Sequence, residues 1–224
     1  MDIAKNIEKF KKEELPKGVE LVAVSKTKPN EDIMEAYNTG HLAFGENRVQ
    51  ELVTKYEELP KDIQWHMIGH LQSNKVKYIA PFVYLIHSVD KPKLLKVINK
   101  EAQKNNRIID VLLQFHIAEE ETKYGFDFDE VQQLLESKQF NEYVNVNVRG
   151  IMGMATFTDD MEKVRREFKH LADIFGKLKQ NYFSDKQDFN EISMGMTNDY
   201  KVALEEGATI LRIGSLIFGK RNNH

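Results

Sequence analysis

The chain has 224 residues with 41% hydrophobic content, enough to bury one substantial core and too short for two comfortable α/β domains. Its 32 basic and 35 acidic residues leave a net charge of -3 with no long single-sign block, which argues against a nucleic-acid or membrane surface and favours a small-molecule partner. The absence of cysteine excludes disulfides, thiol nucleophiles and thiolate metal sites, no apolar run approaches the roughly 20 residues that span a bilayer, and the charged start Met1-Asp-Ile-Ala-Lys5 lacks a signal-peptide core, so a cytoplasmic protein is expected.

An opening amphipathic helix from Ile3 to Leu15 carries Ile3, Ala4, Ile7 and Phe10 at helical spacing. After it, apolar runs near 20–25, 42–45, 64–68, 83–87, 108–117, 144–154, 190–194 and 208–213 alternate with helix-like segments near 30–39, 46–58, 72–79, 91–104, 129–137, 160–179 and 197–206. Strands separated by helices demand parallel pairing through crossovers, and eight strands alternating with seven helices in this length fit an α/β fold of the (β/α)8 TIM-barrel type better than an open doubly wound sheet. Asn30, after Pro29, is predicted to cap the second helix, Thr158-Asp159-Asp160 to open the long one, and Asp199 to lie in a first helical turn. The polar stretch 180–188 is predicted to be a surface loop within one domain covering 1–224, with 220–224 as a tail.

Lys26 stands where the run Glu20-Leu-Val-Ala-Val-Ser25 stops and Thr27-Lys-Pro29 begins. In an α/β barrel that is the C-terminal mouth of a strand, where such folds keep their chemistry. A lysine desolvated on one side there becomes a nucleophilic amine able to form an imine with an aldehyde, although taken by itself the position reads first as that of a solvated loop lysine. Independent support comes from Ser193-Met-Gly-Met-Thr197-Asn-Asp-Tyr200 and from Arg212-Ile-Gly214-Ser215 at the ends of the last two strands. Neighbouring loops of a barrel would there combine hydroxyls, the close approach allowed by Gly195 and Gly214, and N–H groups at helix starts, the elements of a phosphate cradle.

These segments, with Ala23-Val-Ser-Lys26-Thr-Lys, Phe44-Gly-Glu-Asn47-Arg-Val-Gln-Glu51, Trp65-His66-Met-Ile-Gly-His70-Leu-Gln-Ser-Asn-Lys75 and Gly150-Ile-Met-Gly-Met154, make the chain resemble the N-terminal barrel of alanine racemases. They resemble more closely the single-domain pyridoxal phosphate homeostasis proteins, along essentially the whole length. His70 departs from the proline expected there. The resemblance implies a covalent aldimine on Lys26, a phosphate held by Ser193, Thr197, Gly214 and Ser215, and Arg212 facing the pyridine nitrogen. An arginine accepts no proton readily, so it would leave the ring a weak electron sink. Asn47 and His66 are placed near the ring, with core or loop-capping roles equally open.

The function implied is reversible binding of pyridoxal 5'-phosphate, with a part in vitamin B6 and amino-acid homeostasis and little or no catalysis, since 224 residues leave no room for the second racemase domain and its acid/base. Apo-enzymes that use the cofactor are the expected recipients, and a monomer is expected. The alternatives are a weak racemase or lyase using Lys26 with His66 or Tyr124, and a Schiff-base aldolase acting on a sugar phosphate. Four further signals are discounted. Gly214-Ser-Leu-Ile-Phe-Gly219-Lys220 imitates a P-loop but has Arg221 at the last position and no following helix, and His66 with His70 lacks the context of a metal site. Met152, Met154, Met194 and Met196 read as core, and Glu119-Glu-Glu121 as a solvated loop.

Overall fold

Strand β1 (Glu20–Val24) pairs in parallel with β2 (Ala43–Glu46) on one side and with β8 (Ile210–Ile213) on the other, so the sheet has no edge. Between them β3 (Gln64–Met67), β4 (Leu85–Val89), β5 (Ile109–Gln114), β6 (Val146–Met152) and β7 (Glu191–Ser193) follow in chain order, closing an eight-stranded parallel barrel. The computed structural model describes residues 2–119 and 124–219.

Helices α1 (Ile3–Glu13), α2 (Asn30–Tyr37), α3 (Val49–Glu58), α4 (Val76–Ile79), α5 (Pro92–Lys104), α6 (Phe128–Glu136), α7 (Met161–Tyr182), α8 (Tyr200–Glu205) and α9 (Ser215–Phe218) complete the described elements with two short 3-10 turns. Pleating separates the apolar side chains into two cores. Outward residues such as Ala23, Phe44, Trp65 and Val111 pack under the helices, whereas Val22, Ala43, Leu85, Leu112, Met152 and Ile210 form a separate cluster inside the barrel.

The alternation of strands and helices matches the expected barrel; the differences lie at boundaries. The segment predicted as one helix over 72–79 is a 3-10 turn (Ser73–Lys75) followed by α4, and the helix predicted from 46 starts at Val49 because Glu46 is still paired in β2. Asn30 does not cap α2: its amide donates to Glu58 (2.6 Å) and Pro29 occupies the cap position. Asp160 does cap α7, accepting from Lys163 N (3.0 Å), and that helix runs on to Tyr182 into the predicted loop. Asp199 precedes α8, with its carboxylate turned back to Met196 N (2.6 Å). Glu119 of the acidic run pairs with Lys163 at 2.7 Å, while Glu120, Glu121 and the tail lie outside the described residues. Among the described residues no helix is long and apolar enough to cross a membrane.

Candidate functional site

A cavity of about 480 Å³ opens at the C-terminal ends of the strands, and Lys26, Asn47, Thr197, Arg212, Gly214 and Ser215 all line it. That volume is in the range of small-ligand sites. Lys26 follows β1 by two residues and is held by a turn whose next residue, Thr27, has the left-handed φ of 65°. Several bonds hold this uncommon conformation. Glu51 Oε1 accepts from Thr27 N (2.5 Å), and Lys28 N donates to Ser25 O (3.0 Å). Beneath the turn, buried Lys55 donates to Ser25 O (2.8 Å), Glu46 Oε1 (2.8 Å) and Glu51 Oε1 (2.7 Å), and Ser25 Oγ donates to Glu46 Oε1 (2.6 Å). Burial raises the Glu46 carboxyl above its usual range, against the opposing pull of the Lys55 ammonium. The i, i+4 spacing of Glu51 and Lys55 was the available sequence signal for this network.

The wall at β7 and β8 is a turn followed by a one-turn helix. Gly195 has φ 91°, and a Cβ there would meet Ala203 Cβ at 2.6 Å, so glycine is required for the turn to enter. The turn continues through Met196–Asp199, putting Thr197 and Asn198 at its tip against the cavity. Gly214 opens α9, whose Ser215 and Leu216 N–H groups have no acceptor within the helix. The sequence reading places no helix at 215–218. Lys28, also in the wall, donates its ammonium to Phe218 O (2.7 Å) at the helix end.

On the facing wall, Gly69 packs against Asn47, where an added Cβ would fall 2.3 Å from Asn47 O. His70 Nδ1 is 3.1 Å from Asp90 Oδ2, and its ring stacks on Tyr124 with centroids 4.3 Å apart. Tyr124, Met154 and Met196 line the cavity, so two of the four methionines read as core contribute to the site instead.

Ser193 and His66 do not face the cavity. Both side chains are fully buried under its floor, where Arg212 donates to Ser193 Oγ (2.5 Å) and to Gly153 O (3.2 Å), and His87, which the sequence reading missed, bridges Ser193 and His66. The correction follows from pleating: Ser193 ends β7 with its side chain inside the barrel, and His66 lies deeper along β3 than Ile68 and His70, which reach the cavity. His66 and His70 therefore sit at different depths. Among the described residues no group of three His, Cys, Asp or Glu is arranged to hold a metal ion.

Burial lowers the Arg212 guanidinium to about 10, Asp199 partly opposing the shift, so it remains a cation and a donor at neutral pH. Burial also lowers His66 to about 3, His41 to about 4, and His87 well below its ordinary 6.5, whereas burial and Glu191 raise Glu20 to about 7. Between these lowered values and 6.5 the three histidines are neutral when folded and charged when unfolded, so unfolding takes up protons there. Glu20 acts oppositely, because the folded chain holds its proton up to about pH 7. Across pH 5 to 6.5 the proton uptake of the three histidines outweighs the release from Glu20, so stability should rise with pH from 5 to 6.5. Urea midpoints that stay level or fall across this interval would contradict that sign.

A closed parallel barrel with a lysine at the mouth of β1 and an arginine-floored cavity beside β7 and β8 belongs to the class of alanine racemase barrels. Residues 2–222 match the family model described as alanine racemase, N-terminal domain. The chain is 45% identical over 202 residues to the pyridoxal phosphate homeostasis protein of Aquifex aeolicus, covering 90% of this chain and 86% of that one. Solved structures of PipY from Synechococcus elongatus PCC7942 superpose with TM-scores of 0.90 without PLP and 0.86 with PLP bound, at 34% and 33% identity, covering 97% of this chain and 100% of PipY. Alanine racemase of Bartonella henselae shares the fold at TM-score 0.70 and 14% identity, with 61% of its length covered. The chain belongs to the pyridoxal phosphate homeostasis protein family.

Proposed function

We propose that the cavity holds pyridoxal 5'-phosphate, with Lys26 Nζ joined to its aldehyde carbon as a Schiff base, and that the chain takes part in intracellular PLP and amino-acid homeostasis with little or no catalysis. The observation that carries this reading is the convergence on one cavity of a lysine at the mouth of β1, a buried arginine, and the hydroxyls and N–H groups of two adjacent loops. This donor set fits the group: an amine for an aldehyde, hydroxyls and backbone N–H groups for a phosphate dianion, and a planar cation for a ring edge. The PLP-bound PipY structure and the names of the curated relatives support the same choice.

In this reading Thr197, Ser215 and the backbone at Gly214 bind the phosphate, and Asn47 borders the ring. Arg212 faces the pyridine nitrogen and, remaining charged, withholds the proton that would strengthen the ring as an electron sink. The bound cofactor supplies an electrophilic carbon and an electron-withdrawing ring; an arginine on that ring restrains carbanion chemistry. Apo-enzymes that need the cofactor are the proposed recipients.

The test is reduction of the loaded protein with borohydride, followed by peptide mapping and an assay of amino-acid turnover. The pyridoxyl label is expected on Lys26, with racemisation, decarboxylation and transamination no faster than about ten times those of free cofactor. Label mainly on Lys28 or Lys75 would overturn the attachment site, and turnover of roughly 1 per second would replace the carrier reading by an enzyme using Tyr124 or another cavity group. Thr197→Val should weaken retention by about 1.5–3 kcal/mol through loss of one hydrogen bond to a charged group. Wild-type affinity in equilibrium dialysis would remove Thr197 from the cradle.

A further inference from the structure

Below the cavity floor four polar side chains cross the barrel interior in an unbroken line. Arg212 Nη1 lies 2.5 Å from Ser193 Oγ, Ser193 Oγ 2.8 Å from His87 Nδ1, and His87 Nε2 2.9 Å from His66 Nδ1. At the far end His66 Nε2 makes no hydrogen bond and has Glu20 Oε1 3.8 Å away. Ser193, His87 and His66 are inaccessible to solvent, and Arg212 nearly so. Two histidines in a barrel core are unfavourable relative to apolar residues unless their hydrogen bonds have a use.

The chemistry of the donors fixes the direction of the whole line. Arginine only donates, so Ser193 Oγ accepts from it and must send its own hydrogen to His87 Nδ1. Neutral His87 then carries its proton on Nε2 and donates to His66 Nδ1, which leaves the His66 proton on Nε2, toward Glu20. This arrangement makes all three bonds and also places the Ser193 hydrogen, whereas the reversed one, with both ring protons on Nδ1, makes the same three bonds and leaves that hydrogen without an acceptor. Protonating His66 would set its Nδ1–H against the His87 Nε2–H. To accept it, His87 would have to move its proton to Nδ1, and Ser193 Oγ would then receive from both sides with its own hydrogen unplaced. The groups around His66 are Glu20, His41, Tyr84 and His87, and those around His87 are His66, Ser193 and Arg212.

We propose that His87 and His66 are positioning residues for Arg212: through Ser193 they clamp one arm of the guanidinium while Gly153 O holds the other, so the cavity floor presents its cation in one orientation. Neither histidine lines the cavity, so their effect on a ligand passes through the arginine. The inference rests on the reading that Arg212 faces the bound ring, but the clamp itself is a property of the chain without cofactor.

The decisive measurement is therefore made first on the cofactor-free protein, by nitrogen-15 NMR of the histidine rings and of the Arg212 side chain. Both histidines are expected as neutral Nε2–H tautomers, with slow exchange of the Arg212 N–H protons. His87→Leu removes the acceptor for Ser193 and should accelerate that exchange by about tenfold or more, whereas His87→Gln, whose amide can accept from Ser193 and donate to His66, should stay near wild type. Ser193→Ala, a smaller change if the leucine variant fails to fold, should likewise free the arginine. With pyridoxal phosphate added, His87→Leu and Ser193→Ala should weaken binding on the order of tenfold and His87→Gln much less. An Nδ1–H tautomer or imidazolium at His87, or unchanged Arg212 exchange in folded Ser193→Ala, would overturn the clamp. Failure of all proteins to bind the cofactor while the exchange differences persist would refute the cofactor reading and leave the clamp standing.

Discussion

Lys26→Ala is expected to abolish the borohydride-stable pyridoxyl label and the visible absorption of the bound cofactor, leaving only cofactor anchored through its phosphate. The reason is geometric: the other lysine of the cavity wall, Lys28, holds its ammonium on Phe218 O at 2.7 Å, where it caps α9. An alanine at position 26 leaves the supporting network of Lys55, Glu46 and Glu51 in place, so the fold should survive. Absorbance scans and mass spectrometry of the reduced variant check this. A full complement of label elsewhere would dissociate the covalent chemistry from the mouth of β1.

The second large effect is expected at Lys55, a residue that does not line the cavity. Lys55→Met removes three hydrogen bonds and leaves Glu46 buried without its counter-charge. Breaking a buried pair from one side costs about 3–5 kcal/mol. The Lys55→Met/Glu46→Gln double variant should recover a large part of this, because no buried carboxylate is then left unpaired. Urea unfolding of the three proteins measures both numbers, and a single variant within 1 kcal/mol of wild type would show that the pair does not stabilise the β1 turn. The turn that carries Lys26 should also loosen in the single variant, so its label yield should fall together with its stability.

Both effects start from residues that the sequence treats unequally. Lys26 is legible because it interrupts a run of apolar residues just before a proline, and such breaks are local properties of the chain. Lys55 reads as one more solvated lysine of an amphipathic helix, and only the packing of α3 against β2 turns it inward onto Glu46. His87 lies hidden in the same way within an apolar strand run, with partners on β3 and β7 that are 21 and 106 residues distant.

By itself the sequence determined the order of strands and helices and, in the ends of β1, β7 and β8, the loops that meet at the cavity. Periodicity, turn residues and strand ends act over a few residues, and a parallel barrel brings the ends of β1, β7 and β8 together whatever its details. Only the tertiary structure decided depth: that Thr197 and Ser215 border the cavity while Ser193 and His66 lie below it, and that residues 215–218 form a helix against the site. Depth depends on the phase of each strand's pleat and on its stagger against its neighbours, which closure of the barrel sets jointly for all eight strands.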